Sequence, residues 1–276
     1  MIILPMPEKH KVVAVIPAFN EEKTIEDVVL ITNRYVDEVI VIDDGSNDST
    51  VTLAEKVQAN VYRHPRNLGY GEAVKTGLSV ALKRGASVSI LLDADGQHNP
   101  HYIPFVFEPI MKGSADLVIA SRFLYHIKCI PFIRRLGISF VNNLFNWLFS
   151  CLISDTQSGF RAFSFRAMNS LKLQEKGMGI SIEILAKAIE NKLMIKDIPV
   201  PCSFGGPRAR MLGLIAQGLI VVRSIIRYRC ELRSLGTDAS RMTLKRGKTM
   251  FLRFILKSPG LTILYWRGLK FLRRAR

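Results

Sequence analysis

Short β-rich apolar runs, each of which stops abruptly at polar residues, constrain the fold of this chain most strongly. Residues 12–16, 38–42 and 88–92 are three such runs, and a segment with helical spacing of apolar residues separates each from the next. Apolar runs of this length that alternate with helices are typical of parallel strands buried on both faces. The sequence therefore predicts an α/β fold in which a mainly parallel sheet is covered by helices.

The run at residues 88–92 ends in two carboxylates, Asp93 and Asp95, followed by the amide of Gln97. Residues two apart in an extended chain point to the same side, so the two carboxylates can converge on one point. They would repel each other unless a cation lies between them. Their oxygen atoms suit Mg²⁺ or Mn²⁺, so the pattern predicts a divalent-metal site, with an ordinary solvated turn as the alternative.

Two more polar clusters, at residues 17–21 and 43–46, follow predicted strands in the same way. Open α/β sheets bind ligands at the carboxyl ends of their strands, so three clusters at one edge indicate a nucleotide pocket. The carboxylates can accept hydrogen bonds from a ribose or a base, and Phe19 can pack on a base. The sequence contains neither GxxxxGK[ST] nor GxGxxG, so we expect a metal and arginines to bind the phosphates.

The net positive charge of the chain lies almost entirely in its last quarter. The formal net charge is +16, and residues 206–276 contain 17 lysine and arginine residues against 2 acidic residues. A basic tail of this kind needs an anionic partner, either a lipid surface or a nucleic acid.

The four cysteines show no CxxC pair, and we interpret them as free thiols of a reducing compartment.

The segment 135–150 has helical spacing and two distinct faces. Arg135, Ser139, Asn142, Asn143 and Asn146 recur three or four residues apart and form a polar face, while the remaining positions are mostly apolar and aromatic. The segment is either a core helix or a helix in the membrane interface whose polar face is turned to the active site.

The tail contains apolar stretches that are too short to cross a bilayer. Residues 211–222 form a run of only about a dozen, whereas a span needs about 20. Residues 250–256 and 261–272 are short, aromatic and rich in Lys and Arg. We predict a catalytic domain at 1–210 and a basic amphipathic helical extension at 211–276, with no transmembrane helix. The protein would attach peripherally to the anionic cytoplasmic face of a membrane, through lipid or a membrane-protein partner.

Four motifs occur in order and carry a family resemblance: Pro17-Ala18-Phe19-Asn20-Glu21, the run Asp43-Asp44-Gly45-Ser46-Asn47-Asp48-Ser49-Thr50, Asn67-Leu68-Gly69, and Asp93-Ala94-Asp95-Gly96-Gln97. They resemble the motifs of inverting family 2 glycosyltransferases with the GT-A fold. Further matches resemble the polyprenyl-phosphate hexosyl branch of this family, which is typified by dolichol-phosphate mannosyltransferases. These matches are Ser121-Arg122-Phe123, Arg135 with Ser139, residues 155–161, Glu183, and Arg210 with Gly213. That branch often continues with Ser-Lys where this chain has Ile215-Ala216.

The resemblance implies transfer of a hexose, mannose or glucose, from GDP-mannose or a UDP-hexose to a polyprenyl or dolichyl phosphate. By resemblance, the nucleotide-sugar site would comprise Pro17, Phe19, Glu21, Asp43, Asp44, Asp93 and Arg122. Asp93, Asp95 and Gln97 would hold Mg²⁺ or Mn²⁺. The catalytic residues would be Asp93, Asp95 and Arg122, and Arg122 would bind the donor phosphate. Arg135, Ser139 and Arg210 would bind the acceptor phosphate, which is already anionic near pH 7 and needs no histidine base.

Two other functions remain open at this point. The first is a family 2 transferase that glycosylates a hydroxyl group, for which Asp155 or Glu183 would act as the general base. The second is a basic nucleic-acid-binding protein without enzymatic activity. The acidic clusters at the strand ends argue against the second function, and we expect no nucleic-acid partner.

Overall fold

The computed structural model describes residues 10–124, 132–201 and 211–234 of the chain, with side chains given for 10–124, 133–201 and 217–232. The predicted acceptor residue Arg210 and the tail segments 250–256 and 261–272 lie outside the described residues.

A seven-stranded sheet forms the centre of the molecule, in the order β3-β2-β1-β4-β6-β5-β7. The strands are β1 (Val12–Ala18), β2 (Glu38–Asp43), β3 (Asn60–Arg63), β4 (Val88–Leu91), β5 (Leu117–Ser121), β6 (Arg161–Ser164) and β7 (Ile195–Pro199). Only β6 runs antiparallel to its neighbours β4 and β5. The predicted α/β class with a mainly parallel sheet is confirmed.

Eight α-helices cover the two faces of the sheet within the described part of the chain. They are α1 (Ile25–Thr32), α2 (Thr50–Lys56), α3 (Tyr70–Lys83), α4 (Ile103–Met111), α5 (Phe132–Phe149), α6 (Phe165–Ser170), α7 (Ile180–Glu190) and α8 (Met211–Ser234), with a 3₁₀ turn at Pro100–Tyr102. All seven residues of β1 are buried, as expected for a central strand. Gly77 lets α3 approach closely, since a Cβ there would lie 2.2 Å from Cγ1 of Val15.

The first helix begins later than the sequence suggests. Asn20 is a plausible N-cap by residue type, but α1 starts at Ile25 after Thr24. Asn20 instead adopts φ 57°, and its side-chain oxygen accepts a hydrogen bond from the Asn47 amide at 2.9 Å. The Asn20 amide donates to Ser46 Oγ at 2.9 Å, so this residue joins the loops after β1 and β2 and does not cap the helix.

Helix α8 is continuous over 24 residues, although arginines follow its apolar first half. One side of α8 is buried in the core cluster, where the helix packs against α5 and α7. The buried residues on this side are Val221, Ile225, Tyr228 and Leu232. The first part of the predicted tail therefore packs on the body of the protein, and the domain division at residue 210 stays a prediction. In the described ranges, no helix is both long and apolar enough to cross a membrane.

Candidate active site

The three polar clusters meet in one cleft of about 360 Å³ at the carboxyl ends of β1, β2 and β4. The register explains this, because β1 pairs in parallel with β2 on one side and with β4 on the other. We call residues 17–21, 43–46 and 93–97 the donor edge. The cleft is lined by Pro17, Ala18, Phe19, Glu21, Asp44, Asn67, Tyr70, Ala73, Asp93, Ala94, Asp95, Gln157, Gly159, Met178 and Ser181.

Asp93 is held tightly in this cleft by three neighbours. The Tyr70 hydroxyl donates to Oδ1 at 2.8 Å, and His98 Nε2 lies 3.4 Å from Oδ2. Gly159 leaves room for the carboxylate, since a Cβ there would come within 2.0 Å of Oδ2. Burial acts to raise the pKa of Asp93, but the hydrogen bond and charge of His98, with the Tyr70 hydrogen bond, bring that pKa below its usual value. Asp93 therefore stays ionised.

Asp95 and Glu21 face the same cleft, and each has a raised pKa. Burial raises the pKa of Glu21, and the nearby Asp95 and Asp93 raise it further. Burial also raises the pKa of Asp95, with a further contribution from Asp93. Three carboxyl groups in one cleft form a site of negative potential that a bound cation would relieve.

The donor atoms at this point fit a divalent cation that also binds substrate oxygens. Gln97 donates from its side chain to Asp95 Oδ2 at 2.6 Å and from its amide to Oδ1 at 3.0 Å, which fixes that carboxylate. Among the residues described, no three His, Cys, Asp or Glu side chains form a cluster that could hold a metal unaided. Mg²⁺ in nucleotide sites is usually bound by one or two carboxylates together with water and substrate phosphates, so two protein carboxylates suffice.

Asp43 and Asp44 hold the loops of the donor edge in place. Asp44 lines the cleft, and its carboxylate accepts from the amides of Leu68 at 2.9 Å and Gly69 at 2.8 Å. His64 Nδ1 lies 2.7 Å from the same carboxylate. Asp43 is fully buried and lies 3.1 Å from Arg63 Nε, outside the described lining of the cleft. The side chain of Phe19 is 41% exposed at the rim, where a flat ligand can stack on it.

Arg122 lies behind the cleft in a buried ion pair. Its Nε and Nη2 donate to the two oxygens of Asp155 at 2.7 and 2.9 Å. Its assignment to the donor phosphate stays a prediction. Neither Asp155 nor Glu183, the two base candidates, lines the described cleft. Both are fully buried, and Glu183 accepts from the amides of Gln174 at 2.8 Å and Glu175 at 2.7 Å.

Helix α5 packs in the core on one side and exposes apolar residues on another, and its location in a membrane interface stays a prediction. Asn142 and Asn146 on its polar face bind the 153–156 loop, with Asn142 Nδ2 donating to the Ser154 carbonyl at 2.7 Å and Asn146 Nδ2 to the Ile153 carbonyl at 2.8 Å. Its apolar positions divide into two sets. Ile138, Val141, Phe145 and Phe149 are buried, whereas Ile133, Leu136, Phe140 and Trp147 are exposed.

The exposed apolar residues of α5 continue the spacing of one helical side. Helix α8 packs against α5 and exposes further large apolar side chains. We call the two sets together the apolar face: Ile133, Leu136, Phe140, Trp147, Leu219, Ile220 and Ile226. Arg135 and Ser139 are half-buried on α5, beside this face and outside the described lining of the cleft.

Several residues near the cleft carry no recognisable signal in the sequence. Three of them line the cleft: Tyr70, Met178 and Ser181. The sequence around Tyr70 predicts only the start of a helix, and Met178 and Ser181 lie in a region without a metal or nucleotide motif. Arg161 is fully buried and donates to the carbonyls of Thr156 at 2.9 Å and Ser181 at 3.1 Å, and burial lowers its pKa to about 10. Tyr70, Met178 and Ser181 can be found only once the fold brings distant segments together, whereas Arg161 belongs to the 155–161 segment that carries part of the family resemblance.

Comparison with known proteins decides the family. The profile described as "Glycosyl transferase family 2" matches residues 13–172, which include the whole donor edge. The chain belongs to glycosyl transferase family 2. The enzyme is therefore a glycosyltransferase with the GT-A fold, and the sequence prediction of fold and family is confirmed.

Three of the relatives are named as dolichyl-phosphate or polyprenol-phosphate glycosyltransferases or synthases. The chain is 34% identical over 211 residues to the UDP-N-acetylglucosamine–dolichyl-phosphate N-acetylglucosaminyltransferase of Methanococcus voltae, covering 67% of this chain and 83% of that protein. It is 31% identical to the dolichol-phosphate mannosyltransferase of Pyrococcus furiosus, over 71% of this chain and 56% of that protein. It is 28% identical to the polyprenol monophosphomannose synthase of Mycolicibacterium smegmatis, over 69% of this chain and 77% of that protein.

The solved structures similar to this glycosyltransferase include glucosyl-3-phosphoglycerate synthase from Mycobacterium tuberculosis. Its complex with Mn²⁺, UDP-glucose and phosphoglyceric acid superposes with a TM-score of 0.66 at 22% identity, covering 80% of each chain. Similarity at this level of identity supports the fold of the present chain.

Proposed function

We propose that this glycosyltransferase moves a sugar from a nucleotide diphosphate donor to a polyprenyl monophosphate at a membrane surface. One observation carries the proposal: a nucleotide-sized cleft with a carboxylate-rich donor edge occurs in the same molecule as the apolar face of α5 and α8. A soluble acceptor would not require the second feature, whereas a lipid acceptor must be reached at a bilayer.

On the donor side, the cleft positions the nucleotide. Phe19 would stack on the base at the rim, and Pro17 and Glu21 would complete the nucleoside contacts. Asp44 lines the cleft, where it would contact the nucleoside, and its hydrogen bonds to the Leu68 and Gly69 amides also hold the loop that brings Asn67 into the cleft. Asp43 would likewise keep the 43–46 turn in place.

Asp93 and Asp95 would hold Mg²⁺ or Mn²⁺, with Gln97 as the third predicted ligand. The side-chain nitrogen of Gln97 bonds to Asp95, so Gln97 would also orient that carboxylate. When bound, such an ion neutralises charge that develops on the leaving nucleotide diphosphate. Asp93 and Asp95 supply the ligand oxygens, and the contacts of Asp93 with Tyr70 and His98 fix its orientation before the donor binds. Arg122, held by Asp155, would add positive charge behind the donor phosphates.

The acceptor phosphate would approach from the side of α5, near Arg135 and Ser139, with Arg210 as a third candidate. A phosphate monoester with a second pKa of about 6 is already a nucleophile near pH 7. The protein then needs to orient it and to exclude water, and no side chain has to remove a proton. Asp155 and Glu183, the two candidate bases for a hydroxyl acceptor, are buried and do not line the described cleft, which is consistent with this route.

The apolar face and the basic tail would together attach the enzyme peripherally to an anionic cytoplasmic leaflet. Aromatic and aliphatic side chains enter the interface, and each basic residue near such a surface adds on the order of 1 kcal/mol, screened over about 8 Å at physiological salt. Deleting residues 241–276 should shift the protein toward the soluble fraction while nucleotide binding persists. Undiminished sedimentation of the deletion variant with liposomes would leave α5 and α8 as the remaining candidates for the attachment.

The proposal is tested with the purified full-length enzyme, a polyprenyl phosphate and a panel of nucleotide sugars comprising GDP-mannose, UDP-glucose and UDP-N-acetylglucosamine. We expect one donor to yield a lipid-linked sugar, with product lost on addition of a chelator and restored by Mn²⁺ or Mg²⁺. Product that forms equally well in excess chelator would contradict the metal role. Consumption of donor without any lipid-linked product would contradict the acceptor assignment.

A further inference from the structure

The 171–179 loop, between α6 and α7, contacts the donor edge on one side and helix α8 on the other. On the donor side, the Lys176 carbonyl accepts from the Gly71 amide at 2.8 Å. It also accepts at 3.3 Å from the Glu72 amide, which shares its proton with the Gly69 carbonyl at 2.9 Å. These two amides begin α3, the helix that carries Tyr70. The loop thus holds the N-terminal turn of α3, and Tyr70 in turn holds Asp93 through a 2.8 Å hydrogen bond.

The backbones of this loop and of the start of α3 are in close contact, with no space for a side chain between them. A Cβ at Gly69 would lie 2.5 Å from the Lys176 carbonyl oxygen, and a Cβ at Gly71 would lie 2.5 Å from that of Glu175. Real Cβ atoms do not approach so closely, so the backbones meet because both positions are glycine. A displacement of the loop must therefore move the start of α3 or break its hydrogen bonds.

The same loop is attached to α8 by charged and polar contacts. Arg227 Nη2 donates to Glu175 Oε1 at 2.6 Å, and Ser224 Oγ lies 3.4 Å from the same oxygen. Gly179 permits this approach, since a Cβ there would come within 2.6 Å of Ser224 Oγ. Arg227 also contacts the Tyr228 hydroxyl and lies 3.6 Å from Glu231.

The base of the loop is hydrogen-bonded to the buried side chain of Glu183. The buried carboxylate of Glu183 accepts from the amides of Gln174 and Glu175, and the Tyr228 hydroxyl of α8 also bonds to it. The loop then delivers Met178 into the cleft. Contacts therefore run continuously from α8 through Glu175 and the Lys176 carbonyl to Gly71, Tyr70 and Asp93.

We propose that Glu175 and Arg227 are positioning residues that transmit the placement of α8 to the donor side of the cleft. Helix α8 carries part of the apolar face, so anything that seats on this face acts on the same helix. The consequence is reciprocal: a nucleotide that orders the start of α3 would also favour one placement of α8. This link rests on the proposed function only where it concerns nucleotide binding.

The first test measures amide hydrogen exchange in the full-length protein at Gly71 and Glu72, residues that Arg227 does not touch. Arg227→Ala should raise their exchange rates about 3- to 10-fold, the range expected for losing a partly exposed ion pair with a charged hydrogen bond. Arg227→Lys keeps the charge and should restore most of the protection. Arg223→Ala removes an exposed arginine from the same helix and should change nothing. Exchange at these two amides that is equal in Arg227→Ala and wild type would overturn the proposal.

The second test measures the affinity for UDP and GDP, each with Mn²⁺, in the same four proteins. We expect Arg227→Ala to weaken binding about 3- to 10-fold at an unchanged melting temperature, with Arg227→Lys close to wild type. Faster exchange with unaltered affinity would overturn the coupling to the ligand. Wild-type protein that binds neither nucleotide would contradict the proposed function, while the exchange result would still decide whether the loop links α8 to α3.

Discussion

The donor edge and the apolar face are built on different physical principles. At the donor edge, carboxylates are held by short hydrogen bonds, as Asp93 is by Tyr70 and Asp44 is by the Leu68 and Gly69 amides. On the apolar face, Phe140 and Leu219 leave more than half of their side-chain surface exposed. The first region gains its function from fixed polar geometry, and the second from surface that a partner can bury.

This contrast predicts that the two regions can be damaged separately. Variants at the donor edge should lose turnover while vesicle binding persists, and variants on the apolar face should lose vesicle binding while nucleotide binding persists. The predictions below test this separation, from the largest expected effect to the smallest.

Asp95→Asn should lower turnover at least about 100-fold, because an amide cannot replace a metal-binding carboxylate in stabilising the leaving diphosphate. Mn²⁺-dependent nucleotide binding should weaken in parallel, as measured by calorimetry. Asp27→Asn makes the same change at an exposed position of α1 and is the matched control. Near-normal turnover in Asp95→Asn would remove this residue from the metal site.

Gly159→Ala should lower turnover about 10- to 100-fold, because the added methyl group would displace the Asp93 carboxylate and small misplacements are costly. Steady-state kinetics with saturating donor measures the effect. Gly137→Ala is the control, since nothing lies within 4 Å of its Cβ position on α5, and it should retain activity and gain about 0.5–1 kcal/mol of stability. Equal activity in the two variants would mean that Asp93 tolerates displacement.

Arg135→Ala should raise the apparent KM for the lipid phosphate about 10-fold while the KM for the donor changes little, because a charge-assisted hydrogen bond to phosphate is lost. Initial rates with each substrate varied in turn separate the two effects. Arg34→Ala, at an exposed position outside the cleft lining, serves as the control. A similar rise in both KM values would show that Arg135 supports the fold of the site and not the acceptor.

Phe140→Ser should weaken binding to anionic liposomes about 3- to 10-fold, since a partly inserted aromatic side chain contributes less than the ~1.5–3 kcal/mol of full burial. Co-sedimentation measures the partition. Phe105→Ser is a close match, because Phe105 is 60% exposed on α4 and Phe140 is 62% exposed on α5. Equal losses in both variants would show that exposed aromatic area in general, and not the apolar face, drives attachment.

The sequence predicts the parts of this molecule whose signal is local. Strands β1, β2 and β4 are continuous apolar runs, so their existence and the polar residues at their ends can be read directly. Strand β6 contains the buried Arg161, and β7 lies at the sheet edge with half-exposed residues, so neither resembles a buried strand. The antiparallel insertion of β6 follows from tertiary packing that no local pattern specifies.

The site shows the same limit. Asp93, Asp95 and Glu21 are recognisable because carboxylates directly follow predicted strands, and the structure brings all three into the cleft. Tyr70 and Met178 reach the cleft from segments more than a hundred residues apart, through backbone contacts at Gly71 that only the folded chain displays. The split of α5 into buried and exposed apolar sides is likewise set by the position of its neighbours.

The most direct test of the account is a competition between two acceptors that differ only in the phosphate group. The full-length enzyme is given its active nucleotide sugar together with a polyprenyl phosphate and the free polyprenol of the same chain length, in the same vesicles, and the products are separated by mass spectrometry. Sugar should be found on the phosphate alone, because an anionic phosphate needs only to be oriented. A hydroxyl group needs a general base, and the candidates Asp155 and Glu183 are buried outside the described lining of the cleft. Sugar attached to the free polyprenol at a comparable rate would contradict the account.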